Sequence, residues 1–191
     1  LYSSAASDVY KRQAQTMRTI LIIFIYFISV SSSFADQNSS RLDPLFKELT
    51  QIKNELAADL ILAEIWSIWS KTDNEMAQEI FEEGNQLMSK GQFEESILTF
   101  TEVIALQPDF AEAWNKRATV YFFNGEFEKS IQDIEKTLSL EPRHFGALDG
   151  LAQIYFLQDK FLKAAATYEQ LLQILPFSEN AKRQLERING Q

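Results

Sequence analysis

Cysteine is absent from all 191 residues, so disulfides, thiolate zinc sites and cysteine nucleophiles are excluded together. Histidine occurs once, at His144 in a PRHFGAL stretch between two helical patterns. A general base there needs an oriented carboxylate and a nucleophile, and Asp149, five residues on, is poorly placed to pair with it. The expectation for His144 is a turn residue, or a group at a ligand's edge. Glycine and proline are scarce, at 6 and 4 residues, which disfavours an all-β chain rich in tight turns. Basic residues are outnumbered, 18 to 27, and the net charge is −9. Nucleic acid and anionic lipid, which need a basic surface, are therefore not expected partners. No glycine-rich phosphate loop and no G-x-S-x-G occur, and acidic pairs such as Glu82-Glu83 and Glu94-Glu95 read as solvated helix faces. Neither a cofactor nor a metal is expected, and the chain does not read as an enzyme.

Long apolar runs are also missing. The best candidate, in MRTILIIFIYFISVSSSFADQ (17–37), extends from Ile20 to Val30 and is interrupted at Ser29. That is too short for a membrane span, which takes roughly 20 residues. Met17 and Arg18 give it a positive start, and Ser33-Phe34-Ala35 places small residues where a signal peptidase reads. Residues 17–35 are expected to be a cleaved export signal, with Asp36 as the new N-terminus and a periplasmic or secreted product. Without a cysteine after the cleavage site, no lipid anchor is expected. Residues 1–16 fit neither signal nor domain; SSAASDVYKRQ resembles a translated adapter leader and is set aside from the fold.

At 46% apolar content, the remainder can bury a sizeable core. Residues 36–41 form a polar linker. Residues 42–72 read as a helical hairpin, opened by Asp43 as N-cap and Pro44 in the first turn. Its second half, with Ile65, Trp66, Ile68 and Trp69, is too widely apolar for one stripe and should be buried on more than one side.

Laid over itself with a shift of 34, the chain from residue 77 keeps its residue types. Small residues recur at Gly84, Ala118 and Ala152, and at Ser96, Ser130 and Ala164. Phenylalanine recurs at 93, 127 and 161, and proline at 108, 142 and 176. Each unit thus holds two helices, with a turn at Gly91, Gly125 and, in glycine's place, Asp159. Small residues belong where paired helices cross, because bulk there separates the axes. Proline cannot continue the second helix, so the chain reverses into the next unit. One pair cannot bury its own apolar face, and stacking supplies the cover.

This pattern resembles the tetratricopeptide repeat, with AEAWNKRATVYFFNGEFEKSIQDIEKTLSLEP (111–142) as its best copy. The resemblance implies an all-α, right-handed superhelix of stacked antiparallel helix pairs. Three repeats (77–110, 111–144 and 145–178) would follow the N-terminal hairpin, and residues 179–191 would form a capping helix. The layout also resembles small exported bacterial repeat proteins of unassigned activity. The first helix of each repeat would line a concave groove, and the implied function is a scaffold or adaptor binding another protein or peptide there. The groove residues on that reading are Phe81, Asn85 and Met88, then Asn115, Thr119 and Phe122, then Asp149, Gln153 and Phe156. Amides would bond a peptide backbone while rings take its side chains. Phe122 and Phe156 could instead complete the core between repeats. Asn115, a mediocre helix former placed mid-helix, is expected to be kept for a partner. Some members of the family grip a partner's C-terminal carboxylates with lysine, arginine and asparagine. Here Asn85 matches one such position, but Phe81, Lys116, Gly146 and Gly150 stand at others, so that clamp is not carried over. Gly146 and Gly150 instead form a bare strip that admits a neighbouring helix or a ligand backbone. A different reading makes the protein a structural oligomer, self-associating through Trp66 and Trp69.

Overall fold

The structure is a computed structural model that describes residues 39–52 and 55–190. The expected leader, the export signal and the first half of the linker (36–38) lie outside the described residues. Within them the chain runs α1 (Leu42–Leu49), α2 (Glu55–Trp69), α3 (Glu75–Ser89), α4 (Phe93–Leu106), α5 (Ala111–Phe123), α6 (Phe127–Leu140), α7 (Phe145–Leu157), α8 (Phe161–Ile174) and α9 (Glu179–Asn189). Among the described residues, no helix is long and apolar enough to cross a membrane.

The 34-residue spacing becomes three antiparallel pairs, α3–α4, α5–α6 and α7–α8, stacked in chain order and closed by α9. Each first helix ends with a residue in the left-handed region: Gly91 (φ 74°), Gly125 (φ 75°) and Asp159 (φ 57°). The residue after each donates its N–H five residues back, Gln92 to Leu87, Glu126 to Tyr121 and Lys160 to Tyr155, at 3.0, 2.8 and 2.9 Å. This closure satisfies carbonyls that a helix end leaves orphaned, and a short polar side chain tolerates it in glycine's place. At the crossings Ser96 Oγ donates to Gly84 O (2.9 Å) and Ser130 Oγ to Ala118 O (2.8 Å). The small residues there therefore bond as well as fit. The phenylalanines after the turns are only half-buried, and each lies against another ring: Phe93 on Phe123, Phe127 on Phe122, Phe161 on Phe156.

One expectation needs correction at the N-terminus. Asp43 is not the N-cap of α1; that position is Arg41, with no side-chain cap, and Asp43 sits in the first turn. Its carboxylate instead accepts from Arg143 Nη1 at 2.7 Å, tying α1 to the junction between the second and third repeats. Trp69 is 1% exposed, stacked on His144 at 4.2 Å and packed on Phe46 and Phe145. Trp66 is half-buried against Trp69, His144 and Phe145. Both indoles pack within the protein's own core, Trp69 fully and Trp66 in part.

Candidate polypeptide-binding groove

The first helices of successive pairs touch one another, α3 with α5 and α5 with α7, more than the second helices do. They therefore form the inner side of the stack. Between α5 and α7 a cavity of about 220 Å³ opens, and Asn115, Thr119, Phe122, Asp149 and Gln153 line it, with Gly150 on its α7 wall. Five of the nine residues expected in the groove thus converge on one place. Gln153 also lines a wider cavity of about 490 Å³ between α7 and α9, where it meets Phe156.

The three residues of the first repeat do not join them. Phe81 is 2% exposed, its ring 4.8 Å from Phe110 and 5.7 Å from Phe100. A ring at that register position fills the crevice between pairs, where the polar residues Asn115 and Asp149 leave room in later repeats. Met88 packs against the same apolar cluster. Asn85 is half-buried and belongs to neither cavity. Phe122 and Phe156 combine the two roles open to them, packing on Phe127 and Phe161 while each presents surface to a cavity.

Asn115 lines the groove, but its Nδ2 donates to Glu112 Oε2 at 3.0 Å. Glu112 is fully buried and also meets His144 Nε2 at 2.8 Å and Lys116 Nζ at 3.3 Å. His144 is equally buried; its Nδ1 accepts the Ala147 N–H at 3.1 Å as the N-cap of α7. The proton therefore sits on Nε2, which donates to Glu112. His144 is thus a turn residue, as expected, but one buried in the core beneath Trp69 and not at a ligand's edge.

Asp149 is half-buried; its Oδ2 accepts from Gln153 Nε2 at 2.6 Å and its Oδ1 from Asn180 Nδ2 at 3.5 Å. Burial pushes the Asp149 carboxyl above the usual range, and the Gln153 bond opposes it. The neighbouring Tyr168 phenol is pushed up to about 12, by burial and by the charge of Asp149, with Arg187 opposing. Asn180, Gln184 and Arg187 of α9 reach the wider cavity. Sequence reasoning treated α9 only as a seal, although its polar side chains were the available signal. Among the described residues, no group of acidic and histidine side chains could hold a metal ion.

Two family models match this region: one of a TPR repeat over residues 84–125, and one of a tetratricopeptide repeat over 115–179. A TPR repeat-containing protein of Rhizobium etli is 33% identical over 82 residues, which is 43% of this chain. The match spans only 40% of that relative's length. The first TPR of Spaghetti (RPAP3), solved with an HSP90 peptide, superposes with a TM-score of 0.59 at 24% identity, over 62% of this chain and 94% of that one. The Yersinia enterocolitica type III secretion chaperone SycD, solved with a peptide of the translocator YopD, gives a TM-score of 0.59 at 10% identity, over 61% and 95% of the two chains. These structures share the fold of the stacked pairs seen here. Residues 84–179 are tetratricopeptide repeats, and the chain is a tetratricopeptide-repeat protein.

Proposed function

We propose that this protein is an exported interaction scaffold that receives an extended polypeptide between its first helices, chiefly those of the second and third repeats. The observation that carries the reading is the convergence of Asn115, Thr119, Phe122, Asp149 and Gln153 on one cavity between α5 and α7. An exposed groove mixing rings, hydroxyls and amides can bond a peptide backbone and accept its side chains. Support also comes from the relatives of the same fold that were solved with peptides of HSP90 and YopD. Export is supported by the composition of residues 17–35. The reading includes no catalytic step, because the one histidine is buried with both ring nitrogens engaged.

A photo-crosslinking amino acid tests the reading directly. Placed at Thr119, in the groove, it should form polypeptide adducts in a bacterial envelope extract. Placed at Glu135, on the exposed side of α6, it should form few. Equal labelling from both positions would sink the groove assignment.

A further inference from the structure

We propose that the cavity between α5 and α7 is a subsite for a basic side chain, lysine or arginine, of the bound polypeptide. This rests on the groove reading and names the chemistry of its partner. Of the residues lining the cavity, Asp149 alone is acidic or basic. Among the described residues its oxygens accept from neutral amide donors, Gln153 Nε2 and Asn180 Nδ2. The cations nearest the groove face elsewhere. Lys116 faces Glu112 and the Trp66 ring, Arg117 forms a two-pronged pair with Asp133, and Arg187 lies over Phe156 in the neighbouring cavity.

A half-buried carboxylate without a counter-charge is a costly group to keep, and a cation arriving from a partner offsets that cost. The rest of the cavity suits the stem of such a side chain. Phe122 offers a ring, whose face attracts cations, and Ile134 and Ala118 offer apolar wall. Gly150 leaves its part of the wall bare: a Cβ there would come no nearer than 3.7 Å to any side chain across from it. About 220 Å³ is ample, since roughly 10–15 Å³ of such space already holds a water. A partner carboxylate would instead meet Asp149 with no cation to compensate, so the site discriminates against acidic chain ends. The net charge of −9 steers basic partners in the same sense.

The test uses the full chain and a displayed library of random nonapeptides flanked by glycine-serine spacers. The wild type should select peptides with a lysine or arginine. Replacing that residue by norleucine in a selected peptide should weaken binding about tenfold, the scale of one charge-assisted bond. Against Asp149→Asn the two peptides should bind equally. Burial raises the folded-state pKa of Asp149, so its ionisation opposes folding as pH rises through that value, and Asp149→Asn should melt no lower at pH 7. Loss of preference in that variant is then not unfolding. A basic preference that survives in Asp149→Asn overturns the proposal, as does selection of acidic or wholly neutral peptides. In those cases the groove reading stands if Thr119→Arg, which fills the cavity, abolishes binding of the selected peptides. No selection over bare support would overturn both.

Discussion

At Glu112 two hydrogen-bond donors, Asn115 Nδ2 at 3.0 Å and His144 Nε2 at 2.8 Å, and the charge of Lys116, its Nζ 3.3 Å away, meet a carboxylate with no solvent contact. A buried carboxylate costs several kcal/mol unless its oxygens are bonded, so each donor stabilises the fold through the charge it serves. Asn115→Ala should therefore lower stability by about 1.5–3 kcal/mol, the range for a hydrogen bond to a charged group. The same change made in a Glu112→Gln background should cost less, because the acceptor is no longer charged. Urea unfolding of the four proteins gives the coupling, and equal costs in both backgrounds would show that the bond contributes nothing. That Asn115 also serves Glu112 was not legible in the sequence, for a physical reason. Glu112, in the first turn of α5, has the position of a solvated charge that favours a helix N-terminus. It is bonded instead to His144, which stacks on Trp69 of α2, and no local pattern around residue 112 reveals that. His144 was partly legible: shifted by 34 it falls on Phe110, another buried N-cap ring.

Helix α7 carries two glycines one turn apart, and their surroundings give opposite consequences. A Cβ at Gly146 would stand 2.7 Å from Trp66 Cη2 and 3.1 Å from Cζ2. That ring is held edge-on between Trp69, His144 and Phe145, so it cannot swing away without unpacking the hairpin. At Gly150 the nearest atom, Ile134 Cδ1, is 3.7 Å away, an ordinary contact. Alanine exceeds glycine as a helix former by about 1 kcal/mol. Gly150→Ala should therefore raise the melting temperature. Gly146→Ala should lower it, overpacking costing about 1–3 kcal/mol. Calorimetry of the two variants checks this; shifts of the same sign would mean that α2 does not press on α7. The strip of glycines was legible in the sequence as a place of close approach, and Gly146 is one. What approaches was not, because the register of 34 describes only neighbours within the stack. The turns, by contrast, were readable down to Asp159, since the demand for a left-handed residue recurs at each helix end.

Across the whole molecule, helices and repeats were legible because a single period states both the residue types and their neighbours. The hairpin α1–α2 was legible as two helices, but not its destination. It crosses to the junction of the second and third repeats, held by Arg143 on Asp43, by Arg143 over the Phe46 ring at 4.3 Å, and by the tryptophans on His144 and Phe145. Those contacts join segments 100 residues apart and leave no periodic trace. They also bear on export. The described contacts of this unit begin at Ser39 and Arg41, the former accepting the Leu42 N–H and the latter pairing with Glu64. Cleavage after Ala35 would leave these described contacts in place. A chain expressed from Met17 in a bacterium should appear in the periplasm with Asp36 as its first residue, as read by N-terminal sequencing of the purified product. The apolar run from Ile20 to Val30 would then act only as the signal, since it is too short to remain as a span of roughly 20 residues. Met17 found intact on a cytosolic product would overturn the export reading. The groove and its preference for basic side chains would remain to be judged by the peptide experiments alone.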